Sequence, residues 1–298
     1  MTGVQTCALP IYAQLELPEY FRFVPFHQHT GGVAKDALDG LAYEIGRRTT
    51  VPAHADPNGI YRILFESLPQ KSYARVLDWG TGHGAALVTW QRLHPESECH
   101  GVDLSAPCLR VANQRGRENG MRLYLSQQDL EHLDYPDAHF DLIFFNFMLH
   151  ELPRSHTRAL LAEACRVLKP GGLFAGHEFH LRPNDPFQNV LQRSHAYTNN
   201  ETYSIPWYDT DIVAIGREAA ARGDRDRREL GLAGHVADGV DAGGTRVLEL
   251  VDRDVPARVR RDAGAGEVEP GGVRHAADGP EQAIATGHRA PVGGLECD

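Results

Sequence analysis

An α/β fold is predicted, with three layers: helices on both faces of a mostly parallel sheet, preceded by a helical N-terminal cap. Two observations carry this. Between Arg75 and Glu178, apolar runs of strand length alternate with segments of helical period, and such alternation implies parallel strands joined by right-handed crossovers. The second is Val76-Leu77-Asp78-Trp79-Gly80-Thr81-Gly82-His83-Gly84. It reads as a buried strand that ends in a glycine turn and opens a helix, where backbone can approach a nucleotide-like ligand closely.

In chain order, Ala34–Ile45 carries Leu38, Leu41, Ala42 and Ile45 at helical spacing, and Asp56-Pro57-Asn58 opens a short helix through Ile60, Leu64 and Phe65. The aromatic stretch Tyr20–His27 before them reads either as the packing of a leading arm or as one wall of a pocket. The first strand is Arg75–Trp79, and a helix follows through Ala85, Leu87, Val88, Trp90 and Leu93. The second strand is Glu98–Asp103. Ser105 caps the next helix, with Pro107 in its first turn and Gly120 after its end. Arg122–Ser126 is the third strand. Phe140–Phe147, apolar except for Asp141 and Asn146, is a fourth strand covered on both faces. A helix after Pro153 buries Leu160, Ala164, Val167 and Leu168, Lys169-Pro170-Gly171-Gly172 stops it, and the fifth strand is Leu173–Glu178. Asn199–Tyr208 reads as a lid or as a bridge to the next helix, Asp209–Ala220.

The chain has 298 residues, 42% of them hydrophobic, and a net charge of -10. That charge argues against a nucleic-acid surface, and no apolar run approaches the ~18 residues of a membrane span. Five cysteines without paired spacing point to a reducing, cytoplasmic setting. Every aromatic residue lies at or before Tyr208, and no Phe, Tyr, Trp, Lys, Ser, Asn or Met follows it. Residues 219–298 are therefore expected to be a tail without an ordinary core, either GC-rich DNA translated out of frame or a disordered extension. Met1–Ile11 resembles a translated library adapter, lacks the basic start of a secretory signal, and is set aside with Cys7. Residues 12–70 then form the cap and 71–218 the main domain.

Four features, spread over about residues 70–180, resemble the class I S-adenosylmethionine-dependent methyltransferases, nearest the ubiquinone/menaquinone-biosynthesis type. They are Val76–Gly84, the acid Asp103, the pair Asp129-Leu130, and Val167–Gly172. The resemblance implies a Rossmann-like methyltransferase sandwich, S-adenosyl-L-methionine as cofactor and a small-molecule acceptor. It assigns cofactor contacts to Asp78, Gly80, Gly82, Gly84, Asp103, Leu104, Asp129, Leu130 and Asn146. Asp78 would hold the turn beside the methionine amino group, Asp103 the ribose hydroxyls and Asp129 the adenine amine. The loop Asn146–Pro153 would shape the acceptor site, with His150 as base and Glu151 orienting it.

Gly80-x-Gly82-x-x-Ala85 also satisfies a dinucleotide fingerprint, so an NAD-dependent oxidoreductase is an alternative. It does not explain Asp78, Asp129 or the Lys-Pro-Gly-Gly turn. A cofactor-binding domain without catalysis is a second alternative. No metal is expected, although His150, Glu151, His177, Glu178 and His180 gather at neighbouring strand ends.

Overall fold

The computed structural model describes residues 15–24, 26–27, 33–50, 58–179, 181, 185–212, 214–215 and 246–250. Met1–Ile11, His180 and most of 219–298 lie outside them.

The sheet has six strands in the order β3-β2-β1-β4-β5-β6. These are β1 Arg75–Trp79, β2 Glu98–Asp103, β3 Leu123–Gln127, β4 Phe140–Asn146, β5 Leu168–Glu178 and β6 Arg246–Leu250. The first five run parallel, and β6 pairs antiparallel with β5. The chain builds outward from β1 to β3, then returns across β1 to start β4. That reversal opens a crevice at the carboxyl ends of β1 and β4, where open α/β sheets bind ligands.

Strand alternation sorts the core into two faces. Leu77, Trp79, Ile143, Phe145 and Phe174 face one side with helix α6 (Thr157–Val167). Val76, Leu142, Phe144, Leu173 and Ala175 face the other with α3 (Gly59–Ser67), α4 (Ala85–Leu93) and α5 (Ala106–Glu118). Phe65 of α3 meets Trp90 and Phe144 edge-on at 5.0 Å. Helix α3, assigned to the cap from sequence, is thus part of a helical layer on the sheet. Before it come α1 (Glu19–Phe23) and α2 (Asp39–Thr50), and α7 (Pro186–Thr198) and α8 (Ser204–Tyr208) follow β5. Among the described residues no helix is long and apolar enough to cross a membrane.

Three elements depart from the sequence reading. Helix α2 begins five residues late and turns its expected apolar stripe outward, with Leu41 51% and Ile45 64% exposed. Its inner side is polar because each group there finds a partner. Asp39 accepts the Lys35 and Asp36 amides at 2.7 Å, and Glu44 pairs with Arg115 at 2.8 Å. Gly40 lies against the Pro107 carbonyl, where a Cβ would stand 2.3 Å from the oxygen.

The Lys169–Gly172 turn lies inside β5 rather than before it. The register jumps from Phe140↔Leu168 to Leu142↔Leu173, so a bulge absorbs the turn. Finally, β6 lies within the segment read as a tail. Its Val247-Leu248-Glu249-Leu250 is the densest aliphatic run there and pairs along Phe174–Glu178.

Asp141 clamps the opposite end of the sheet from the crevice. Its carboxylate accepts the Arg75 amide at 2.9 Å and the Lys169 ammonium at 2.7 Å, joining β1, β4 and the β5 bulge. Burial alone would raise this acid, but Lys169 and the Arg75 amide outweigh it and hold the carboxyl below its ordinary range. An acid depressed in the folded state stabilises fully above its unfolded value and loses that contribution as pH falls through the folded one. Asp141→Asn is expected to cost about 1–2 kcal/mol at neutral pH. Urea unfolding should show the gap between variant and parent closing as pH drops below the carboxylate range.

Candidate active site

The turn after β1 is held from below. Asp78, 2% exposed, accepts the Thr81 hydroxyl at 2.8 Å, and the Gly80 and Thr81 amides donate to the Val102 carbonyl. Burial pushes the Asp78 carboxyl up to about 7, the Thr81 hydroxyl pulls against it, and the nearby Asp103 charge adds to the rise. Asp78 therefore builds the turn and does not itself line the cleft above it.

The glycines divide by role. Gly82 has φ +51, and its missing Cβ would point into open space with only Tyr43 Cε1 at 3.6 Å. Gly84 has φ +75, and its Cβ would strike Ala112 Cβ at 2.8 Å. Gly80 and Gly82 line the cleft. Gly84 instead serves the packing of α4 on α5.

Asp103 ends β2 beside this turn. Its carboxylate accepts the Gly82 amide at 2.7 Å and the Ser105 amide at 2.8 Å. Burial raises it, while those amides and that of Leu104 pull it back. Ser105 caps α5 by accepting the Cys108 amide at 3.1 Å, and its hydroxyl donates to the Val33 carbonyl of the cap. Leu104 lines the cleft, and Gln127 of β3 donates to its carbonyl at 2.9 Å.

Asp129 is turned to its own loop, accepting the Glu131 amide at 3.0 Å, and does not line the cleft; its neighbour Leu130 does. At the end of β4, Asn146 also lines the cleft. Both polar atoms of its amide are buried without a hydrogen-bond partner among the described residues. An unsatisfied buried amide costs about 1–3 kcal/mol, so this group marks a place for a polar ligand atom.

The cleft as a whole, its open mouth included, encloses about 770 Å³. Tyr20, Phe21, Phe26, Tyr43 and Phe147 form its aromatic wall. Of the Tyr20–His27 stretch, Tyr20 and Phe26 are buried in the core and also line the cleft. Phe147 takes φ +52, a left-handed conformation costing roughly 1–2 kcal/mol, as the chain leaves β4.

Glu151 lines this part of the cleft and His150 does not. His150, 2% exposed, is buried behind the loop with Nδ1 2.6 Å from Glu178 Oε1. Glu178 also accepts the Leu149 and His150 amides. Burial, which would lower His150, is outweighed by Glu178, Glu151 and Glu201, and the imidazole rises to about 9. The expected base is thus a buried imidazole paired to a carboxylate, and Glu151 is the group presented to the cleft. His177 is fully buried.

Two partners were not singled out from sequence. His27 lines the cleft, with Nε2 2.9 Å from Glu151 Oε1 and Nδ1 3.0 Å from Glu201 Oε1. Burial would lower this imidazole, but Glu151 and Glu201 outweigh it and raise it to about 10. Glu201 falls to about 2: burial works against this, and the His27 hydrogen bond and charge prevail. His27 and Glu201 stand 174 residues apart, and no periodicity links them.

Residues 76–172 match the model of a family described as "Methyltransferase domain". The chain is 37% identical over 106 residues to the ubiquinone/menaquinone biosynthesis C-methyltransferase of Laribacter hongkongensis, covering 35% of this chain and 43% of that protein. It therefore spans less than half the length of that relative. It is 29% identical over 239 residues to the phthiotriol/phenolphthiotriol dimycocerosates methyltransferase of Mycobacterium tuberculosis, covering 78% and 77% respectively. Among solved structures, an O-methyltransferase family protein from Burkholderia thailandensis has TM-score 0.54 at 17% identity, covering 73% of this chain and 60% of that one. The PH0226 protein from Pyrococcus horikoshii has TM-score 0.53 at 15% identity, covering 71% and 99%. These two share the fold.

The two glycine roles separate in stability. Gly82→Ala should cost about 1–2 kcal/mol, the left-handed penalty alone. Gly84→Ala adds the overlap with Ala112 and should cost at least about 1 kcal/mol more. Denaturant unfolding of both variants measures the difference.

Proposed function

We propose, starting from a chain that carries a class I S-adenosylmethionine-dependent methyltransferase domain, that it transfers the methyl group of S-adenosylmethionine to a small-molecule acceptor held in the aromatic half of the cleft. The observation that carries this reading is the Asn146 amide, buried without a hydrogen-bond partner among the described residues in the cleft that the glycine turn and the aromatic rings also line. The residues present fit the cofactor. Gly82 leaves backbone open to the cleft, Asp103 and Leu104 stand beside it, and Leu130 offers an apolar edge for a base. When bound, the cofactor supplies a methyl group already activated by the positive charge on sulfur.

The remaining work falls to the chain. Alignment and exclusion of water contribute much of the rate when the electrophile is already activated, and the Tyr20, Phe21, Phe26 and Phe147 rings supply both. Glu151 is the carboxylate placed to accept a proton from an acceptor that has one to lose. His27 holds it from the cap, and Glu178 fixes its loop through the Leu149 and His150 amides. His150 is a positioning residue on this reading, acting through Glu178. A cytoplasmic setting is part of the proposal, supported by the unpaired Cys99, Cys108 and Cys165.

Calorimetric titration of the full chain with S-adenosylhomocysteine and with NAD, side by side, tests the cofactor. Binding of S-adenosylhomocysteine alone is expected, and Asn146→Ala should weaken it by about tenfold, near 1.4 kcal/mol. Binding of NAD instead would overturn the reading. For the reaction, transfer of labelled methyl to small phenols, quinols and amines identifies the acceptor. With an acceptor that loses a proton, Glu151→Gln should lower kcat by roughly 100-fold while leaving S-adenosylhomocysteine affinity in place.

A further inference from the structure

Behind the acceptor end of the cleft, His27, His150, Glu151, Glu178 and Glu201 pack into one cluster. It draws on the leading arm, the short turn Leu149–Glu151, the end of β5 and the segment after α7. Three carboxylates meet the imidazoles of His27 and His150 there, and Nε2 of His195 stands 3.9 Å from Glu201 Oε1. Burying such a set is costly unless each charge is compensated.

Nε2 of His150 stands 3.6 Å from Glu201 Oε2 and 3.7 Å from Glu151 Oε1. These distances are too long for hydrogen bonds. They match the spacing of about 3.4 Å between ligand atoms around an ion with bonds near 2.1 Å. Glu201 is 4% exposed, and its Oε2, facing His150, has no hydrogen-bond partner among the described residues; nor has Oε2 of Glu151.

The other nitrogen of His150 is held by Glu178 at 2.6 Å. A carboxylate on the far nitrogen, orienting the ring toward a metal, is the recurrent support of histidine ligands. His27 adds a second imidazole in contact with both Glu151 and Glu201, and the ligand atoms of these three lie within 4.8 Å of one another.

We propose that this cluster is a binding site for a divalent first-row transition ion, held by His27, Glu151 and Glu201 with Nε2 of His150 beside them. Mixed imidazole and carboxylate donors suit Mn²⁺, Fe²⁺ or Zn²⁺ better than Ca²⁺ or Mg²⁺. The ion would join the leading arm and the segment after α7 to the loop that presents Glu151, so it closes the acceptor end of the cleft. A second group, Glu98, His100 and His139, has Glu98 exposed and His100 buried. The guanidinium of Arg75 stands 2.9 Å from His139 Nδ1 and repels a cation there.

The site is tested on the full chain without cofactor or acceptor, so failure of the methyl-transfer reading leaves it unaffected. Chelator-stripped protein is titrated with Mn²⁺, and the free ion is followed by its paramagnetic resonance signal. One bound equivalent is expected. Glu201→Gln should weaken binding by about tenfold or more, and Glu98→Gln should leave it unchanged. Circular dichroism confirms the fold of each variant, and Glu151→Gln replaces Glu201→Gln if the latter does not fold. The proposal is overturned if the parent chain leaves both Mn²⁺ and, in a parallel dialysis, Zn²⁺ unbound. It is equally overturned if Glu98→Gln abolishes binding while the cluster variants retain it.

Discussion

The geometry of the crevice depends on one half-buried carboxylate. Asp103 receives the Gly82 amide from the turn after β1 and the Ser105 amide from the turn after β2, so two turns from separate crossovers are set by a single group. Each bond satisfies an amide at the start of a turn. Ser105 extends the arrangement by capping α5 and holding Val33. Without the carboxylate both turns would lose a partner at once, and buried amides without partners are expensive.

A second carboxylate does the same for the opposite wall. Glu178, at the end of β5, accepts the Leu149 and His150 amides and the His150 ring, and so shapes the loop that presents Glu151. The two walls thus rest on acids at the carboxyl ends of β2 and β5, on either side of the β1–β4 crevice. Parallel sheets collect such acids there because each strand end feeds a turn whose amides need acceptors.

Much of this was legible in the residues. The strands and the glycine turn follow from apolar runs and punctuation, signals local in sequence, and β1, β2 and α4 fall where the pattern puts them. Asp103 could be read because its place at a strand end is also local. The inward side of α2 could not, because helical period marks a face without saying which face a neighbour will take. Gly40 against Pro107 and Glu44 against Arg115 decided it through contacts with α5. His150 was legible as part of the loop after β4, but its depth depends on Glu178, 28 residues away. His27 and Glu201 left no local trace, since only the folded chain brings them together.

The antiparallel pairing of β6 along Phe174–Glu178 has a consequence for how the molecule behaves among its copies. In a parallel sheet the last strand leaves a row of amide and carbonyl groups free to recruit another chain. Here that strand also carries Glu178 at its end, so its alignment matters to the Glu151 loop. By occupying the outer side of β5, Arg246–Leu250 acts as a molecular selvedge. A chain cut before it would offer the outer side of β5 as a template for self-association.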